Sequence, residues 1–446
     1  MLDLLLVILF CVLGVITGIA TGLLPGLHVN NIALILLSLS GGIISSFSFL
    51  FAYGISEQFI LVLISVYIIS TAISHTFHDC IPTTFLGAPE EDTALSLLPA
   101  HSLLIEGNGY EAVALSAIGS YGAILFCFFL LYPIRFIIGS PIFFYSTLRE
   151  IMLFVLIAIS ILMLATEKGK IEIFNINGKA TSIFGMMFAT FVFILSGLFG
   201  LIILNYPVES PIGLSSPVLF PALAGLFGTP TLLTSLMTKP KIPEQKIQPL
   251  KLDKSKQKSS ILSIITGSLS GVLVSIIPGI TSATGTILAM NARGESDKRQ
   301  TIVTLSAVNT ACAFFVVIVL FIIQRSRSGA TLAVKELITI EEWTSILMPS
   351  NLTYLLIALL LGGTLSYFLT LMIGKMFAKY FTKVPYQLLI EFTISMILVL
   401  VFLFTGLIGL LILLIATFIG LLPVLWGVRR SHCMGILLIP IILYFI

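Results

Sequence analysis

The sequence predicts an all-α polytopic membrane protein made of two homologous halves. Of its 446 residues, 58% are hydrophobic and 10% are charged, whereas soluble domains average about 25% charged residues. Apolar runs of about twenty residues, enough for a helix to cross a bilayer, recur from end to end. A pattern of glycine and proline also occurs twice, once early in each half. We expect no separate soluble domain.

The first half, residues 1–237, is predicted to begin with a broken hairpin. A polar, proline-rich stretch at 81–111 interrupts the spans that follow it. In chain order the predicted segments are the hairpin at 4–51 and spans near 58–80, 112–138, 149–167, 182–204 and 214–237.

Residues 238–260 are predicted to form a flexible basic linker between the halves. The segment carries seven lysines and three prolines. Lysine-rich connections lie on the cytoplasmic side of membrane proteins, so topology explains the charge without a nucleic-acid partner.

The second half, residues 261–446, repeats this order. Its predicted segments are a broken hairpin at 261–291, a polar stretch at 324–348, and spans near 301–323, 349–374, 386–404, 406–422 and 434–446. If each polar stretch returns to the side that it left, each half crosses the membrane five times. An odd number of crossings turns the second half upside down, so we predict inverted repeats and an extracytoplasmic N-terminus. Arg325, Arg327 and Lys335 would then lie outside, against the positive-inside rule.

Two glycines followed by Pro-Gly mark the hairpin of each half. Gly14, Gly18, Pro25 and Gly26 have the same spacing as Gly267, Gly271, Pro278 and Gly279. Proline removes a backbone donor and breaks a helix. In a bilayer, freed backbone groups are tolerated only where protein buries them or where they line a wet cavity. Paired interruptions of this kind indicate the binding site of a transporter.

Polar side chains follow both breaks, and we predict that they contact a substrate. Hydroxyls and amides beside a half-helix N-terminus can bind a carboxylate or coordinate Na⁺ through oxygen. The predicted substrate-binding residues are Pro25, Gly26, His28, Asn30, Asn31, Pro278, Gly279, Thr281, Ser282, Thr284 and Asn309.

A second polar group, His75, His78 and Asp79, ends the span near 58–80. On a helix, His75 shares a face with both of the others. Three interpretations remain open: a hydrated helix end, a proton relay or substrate-binding face, and a transition-metal site. We name these residues as candidates for proton or ion coupling.

Three acids, Glu90, Glu91 and Asp92, follow Gly87-Ala88-Pro89. Acids after a proline suit a helix N-terminus, where the dipole is positive. The alternative is a site for a coupling cation.

A third signature accompanies the two Pro-Gly motifs. The signatures are Gly22-Leu23-Leu24-Pro25-Gly26, Ser275-Ile276-Ile277-Pro278-Gly279, and Gly87-Ala88-Pro89 followed by Gly107-Asn108-Gly109-Tyr110-Glu111-Ala112. In their order and spacing, over nearly the whole chain, they resemble the large membrane subunit of tripartite tricarboxylate transporters, the TctA family. Asn309 resembles a polar position of that family.

The resemblance implies a secondary transporter of citrate-like carboxylates in the cell membrane and not an enzyme. It implies coupling to an ion gradient. We expect Na⁺ or H⁺ as the coupling ion and no cofactor. It also implies two partners, a small membrane subunit and an extracytoplasmic binding protein.

The chain departs from the family pattern in several ways. His28 stands where a small residue is usual, Glu90-Glu91-Asp92 replaces small residues, and the chain is shorter than usual. These departures indicate a divergent branch, with an archaeal source as one option. We also expect no positive residue at either Pro-Gly motif, so that helix N-termini, each with about half a charge, would have to neutralise the substrate.

Two other functions compete with carboxylate transport. Twin Pro-Gly hairpins also resemble those of polyprenyl-phosphate flippases, which would make the protein a lipid-carrier translocase. An intramembrane metal-dependent enzyme would use His75, His78, Asp79 and the three acids around a metal ion.

Overall fold

In the described part of the computed structural model every regular element is a helix, as predicted. The structure describes residues 2–24, 29–87, 93, 95, 97–167, 179–204, 206–208, 210–211, 218–238, 243–247, 254–278, 280–294, 297–380 and 386–446. Nine helices in these ranges are apolar and long enough to cross a membrane, or ten if a pair that bends by 73° is one span. The chain is a multi-pass membrane protein.

Apolar composition over 20 to 30 residues, with few charges, makes the long segments helical in a bilayer, because a helix satisfies its own backbone groups. The helices up to the linker are α1 (Leu2–Leu23), α2 (Val29–Ser46), α3 (Glu57–His78), α4 (Cys80–Phe85), α5 (Leu97–Ile105), α6 (Gly109–Ile138), α7 (Phe144–Glu150), α8 (Met152–Ala165), α9 (Lys179–Ile203), α10 (Leu219–Leu223) and α11 (Thr229–Thr238). Those after it are α12 (Lys254–Ile276), α13 (Ser282–Arg293), α14 (Lys298–Ile323), α15 (Gly329–Leu337), α16 (Ser350–Tyr380), α17 (Tyr386–Trp426) and α18 (Gly435–Tyr444).

Several boundaries differ from the prediction, and α16, for example, runs to Tyr380 instead of ending near 374. The span predicted near 149–167 is preceded by the short helix α7, which meets α8 at the 73° bend. Helix α12 begins at Lys254, inside the predicted linker. A described part of that linker lies against the turn between α5 and α6, where the Lys246 amide donates to the Gly107 carbonyl across 2.8 Å.

Helix α17 contains a sharp break at Gly406. Its 41 residues would measure about 60 Å as one straight helix, twice the thickness of a bilayer core. Gly406 instead has φ 64° and ψ −159°, a conformation that only glycine adopts readily. The break confirms the predicted division between 386–404 and 406–422.

The matched glycines let the first helix of each half pack closely on the following span. A Cβ on Gly14 would lie 2.5 Å from the Tyr67 carbonyl oxygen, and a Cβ on Gly267 would lie 2.8 Å from that of Thr304. Helix α1 runs parallel to α3, and α12 runs parallel to α14. In each pair the second glycine, Gly18 or Gly271, contacts residues further along the span than the first glycine does. Small residues at such contacts let helix backbones approach within a membrane.

The spans α3 and α14 cross antiparallel in the middle of the bundle. Ile69 and Ala72 of α3 line one cavity together with Cys312 and Ala313 of α14. Thr76, which comes later in α3, lines a second cavity with Leu305 and Ser306, which come earlier in α14. The first hairpin and its span therefore point opposite to the second hairpin and its span. An inverted repeat requires this arrangement at its centre, and inversion of the complete halves stays a prediction.

Candidate functional site

Asp79 and Asn309 join the two halves at the crossing of α3 and α14. The Asn309 side-chain amide donates to Asp79 Oδ2 across 3.2 Å, and the two side chains are 6% and 3% exposed. Asp79 occupies the junction between α3 and α4, where its backbone N–H still donates to the His75 carbonyl. A carboxylate within a membrane span is costly, and here a neutral amide is one of its partners.

The N-terminus of α13 reaches the same point. Thr281 caps this helix by accepting from the Thr284 amide at 3.4 Å. Ser282, the first helical residue, donates to Asn309 Oδ1 at 3.5 Å. Asn309 thus bridges a carboxylate from the first half and a helix N-terminus of the second hairpin, which carries partial positive charge.

The two histidines of the predicted coupling group have different surroundings. His75 lines a cavity with Asp79, and its Nδ1 lies 3.1 Å from the Thr21 hydroxyl. His78 lines neither of the cavities that meet at Asp79. Its Nδ1 donates to the Ser74 carbonyl across 2.7 Å, and its Cβ lies where a Cβ on Gly22 would collide with it.

Two cavities meet at the Asp79–Asn309 contact. The larger, of about 110 Å³, lies between α2, α3, α14 and α15, and Asn30, Ser328 and Thr331 are among its lining residues. The smaller, of about 10 Å³, lies towards α5 and α6 and has room for about one water molecule. Both are lined by Thr76, Asp79 and Asn309, so these side chains separate the two spaces.

Asn30 positions the start of α2. Its Oδ1 accepts from the Ala330 backbone amide across 3.2 Å, and Gly329 leaves room for the Asn30 side chain. This bond connects the first hairpin to α15 and places Asn30 at the edge of the larger cavity.

Several predicted site residues lie outside the described residues. They are Pro25, Gly26, His28, Glu90, Glu91, Asp92 and Gly279, together with the side chain of Asn31. Pro278 is described and lines a separate cavity at the end of α12. Within the described residues, no three His, Cys, Asp or Glu side chains form a group that could hold a metal ion.

Sequence reasoning missed Arg327. Its Nη2 donates to the carbonyl oxygen of Ile280, two residues after Pro278. The expectation that no positive residue lies at either Pro-Gly motif was therefore wrong for the second motif, because a segment 47 residues later folds back onto it. The signal was present, since Arg327 violates the positive-inside rule in the predicted topology.

Membrane-spanning helices that enclose a buried polar contact between the two halves define the chain as a multi-pass membrane protein with a polar centre. The family model described as "Tripartite tricarboxylate transporter TctA family" matches residues 8–435. The chain belongs to this family, whose members are transporter components and not enzymes.

One relative covers almost the same length. The chain is 28% identical over 430 residues to the uncharacterized protein MJ1079 of the archaeon Methanocaldococcus jannaschii, covering 95% of this chain and 94% of that protein. No solved structure matches the chain.

Proposed function

We propose that the protein is an ion-coupled secondary transporter of di- and tricarboxylates that works by alternating access. Membership of the family supports a transport role. The observation that carries the proposal is the Asn309 bridge between Asp79 and the N-terminus of α13. Paired broken hairpins that meet near the midplane are typical of secondary transporters.

The buried carboxylate of Asp79 supports ion coupling. Two like unit charges 4 Å apart repel by roughly 4 kcal/mol at an effective dielectric constant of 20. A carboxylate substrate therefore binds beside Asp79 only when a cation accompanies it. A proton on Asp79 or His75, or Na⁺ among the oxygens of Asp79, Asn309 and Ser282, would supply that charge.

The two cavities support alternating access. They share Thr76, Asp79 and Asn309, so a shift of α13 and α14 relative to α3 would widen one space and close the other. We place the linker end of the bundle, with Lys246, Lys298 and Arg299, in the cytoplasm. The larger cavity then faces outward, and the N-terminus is extracytoplasmic.

The predicted partners belong to the same proposal. We expect a small membrane subunit and an extracytoplasmic binding protein that delivers the substrate to the outward-facing end. The substrate-binding roles of Asn30, Asn31, Thr281 and Thr284 likewise remain proposals.

Thermal unfolding of the purified chain tests the proposal without its partners. A ligand that binds only the folded state, at a hundred times its Kd, stabilises it by about 2.7 kcal/mol. We expect stabilisation by citrate or a dicarboxylate that depends on Na⁺ or on lowered pH. In Asp79→Asn, which carries no charge, that dependence should disappear, whereas the surface control Glu106→Gln should retain it.

Two results would contradict the proposal. One is stabilisation of the wild type by polyprenyl phosphate but by no carboxylate, which would favour the lipid-carrier translocase. The other is an equal carboxylate effect at every pH and Na⁺ concentration, which would remove ion coupling.

A further inference from the structure

A third cavity, of about 450 Å³, lies away from the Asp79–Asn309 contact. It is enclosed by α7 and α8, the end of α12, the C-terminal part of α14 and the end of α18. Its lining residues are Tyr145, Arg149, Met152, Ser275, Ile276, Pro278, Val319, Ile323, Arg325, Ser326, Arg327, Ile441, Tyr444 and Phe445. Three of these are arginines, and none is an acid. We call this space the arginine vestibule.

The three arginines keep donors free for a ligand. Among the residues that the structure describes, none of them forms an ion pair. Arg327 Nη1 is buried and has no hydrogen-bond partner among the described residues. A buried charged donor without a partner costs free energy of folding. Arg325 Nη1 donates to the Tyr145 hydroxyl across 3.2 Å, and its guanidinium carbon lies 5.7 Å from the centre of that ring.

The shape and charge of the vestibule suit a polycarboxylate. A volume of about 450 Å³ falls within the roughly 300–1,000 Å³ of small-molecule pockets. Guanidinium groups bind carboxylates through two parallel hydrogen bonds. Three uncompensated arginines therefore match an anion that carries two or three carboxylates.

The vestibule adjoins the second hairpin. Pro278 lines it, and Arg327 binds the carbonyl of Ile280. Two residues further, Ser282 contacts Asn309 of the central site. An anion held by Arg327 would thus lie against the segment that leads to Asn309.

The position of these arginines also requires an explanation. They lie at the end of the bundle opposite the linker, where the positive-inside rule disfavours them. Binding of an anionic ligand accounts for the retention of positive charge at that end.

We propose that the arginine vestibule is a polycarboxylate-binding site that captures substrate at the extracytoplasmic end, before it reaches the central site. The choice of a carboxylate as the anion rests on the proposed function. The vestibule supplies the positive charge that the central site lacks.

Equilibrium dialysis of radiolabelled citrate against the purified full-length chain tests this. Loss of a hydrogen bond to a charged group weakens binding about tenfold or more. We expect Arg327→Gln and Arg149→Gln each to raise the Kd by about tenfold or more. Arg327→Lys should raise the Kd less, because lysine keeps the positive charge but lacks the paired N–H donors of the guanidinium group.

The control is Lys335→Gln. Lys335 lies at the same end of the bundle but donates to the Gln324 carbonyl, so this substitution should leave the Kd unchanged. Monodisperse gel filtration checks that each variant is folded, and Arg149→Gln leaves the bond to Ile280 intact.

The outcomes separate the two proposals. If wild type binds no carboxylate, the proposed function fails. If wild type binds citrate and all the arginine variants bind it equally well, the vestibule proposal fails alone. If the arginine variants keep citrate binding and lose stabilisation by phosphatidylglycerol, the vestibule is a lipid site and the proposal is overturned.

Discussion

The side-chain amide of Asn309 donates a hydrogen bond to Asp79 although 230 residues separate them in the chain. This contact connects the span of the first half to the span of the second. Because Asn309 also accepts from Ser282, a single side chain links the N-terminus of α13 to the buried carboxylate.

Replacement of Asn309 by alanine should destabilise the protein. The change removes a donor to a buried carboxylate, which costs about 1–3 kcal/mol. Thr310→Ala is the matched control, because the neighbouring Thr310 hydroxyl is buried and has no hydrogen-bond partner among the described residues. Denaturation of both variants in detergent checks the difference, and equal stabilities would contradict it.

Alanine at Gly18 should also destabilise the protein. The new Cβ would lie 2.4 Å from Ser74 Cβ and 2.6 Å from the Thr71 carbonyl oxygen, and such overpacking costs about 1–3 kcal/mol. Gly42 in α2 has nothing within 4 Å of its ideal Cβ. Gly42→Ala should instead stabilise its helix by about 0.5–1 kcal/mol. Thermal unfolding midpoints that move in the same direction would refute this explanation of the glycine pattern.

Substitution of His75 should change the pH dependence of carboxylate binding, whereas substitution of His78 should not. His75 lines the cavity beside Asp79, and His78 is bonded to the Ser74 carbonyl within its own helix. We expect His75→Gln to flatten the pH profile of citrate-induced stabilisation, because glutamine cannot take up a proton in this way. We expect His78→Gln to lower the unfolding temperature and keep that profile. An unchanged profile in His75→Gln would exclude a coupling role.

The ion pair between Glu106 and Lys298 should contribute a small stability that acid removes. The Lys298 hydrogen bond lowers the pKa of Glu106 below its ordinary value of 4.5. A lowered folded-state pKa stabilises the fold above that ordinary value, and the contribution is lost as the pH falls through the lowered pKa. Because both side chains are partly exposed, Glu106→Gln should cost less than about 1 kcal/mol at neutral pH, and high salt should reduce the difference. Unfolding curves at pH 7 and pH 3 would show a smaller difference between the variant and wild type at pH 3; an equal or larger difference at pH 3 would contradict the assignment.

Opposite ends of the bundle should be accessible from opposite sides of the membrane. Glu57 at the start of α3 and Glu244 in the linker are both exposed. In right-side-out vesicles, a membrane-impermeant maleimide should label Glu57→Cys at once and Glu244→Cys only after permeabilisation. Wild type is the control, since Cys11, Cys80, Cys127 and Cys433 are buried and Cys312 is half-buried. The reverse pattern would overturn the proposed orientation.

Much of the architecture could be predicted because it depends on local chemistry. The lengths of the apolar runs determine where the membrane spans lie. The first part of α17 ends at Gly406, within two residues of the predicted boundary. Asp79, Asn309 and Ser282 were named as candidates because polar side chains within apolar spans are conspicuous. Their partners were not predicted, since helix crossing depends on packing between segments far apart in sequence. His75 and His78 share a helix, yet only His75 lines a cavity with Asp79, because α1 packs over His78 through Gly22.

The sequence by itself determined that the chain is a polytopic helical membrane protein, where its helices break, and to which family it is similar. These properties follow from hydrophobicity, from the backbone chemistry of glycine and proline, and from motif spacing. Only the tertiary structure decided that Asn309 meets Asp79 and that Arg327 lies against Ile280. The physical reason is that close packing between segments far apart in the chain sets the register between helices, and register decides which distant side chains meet.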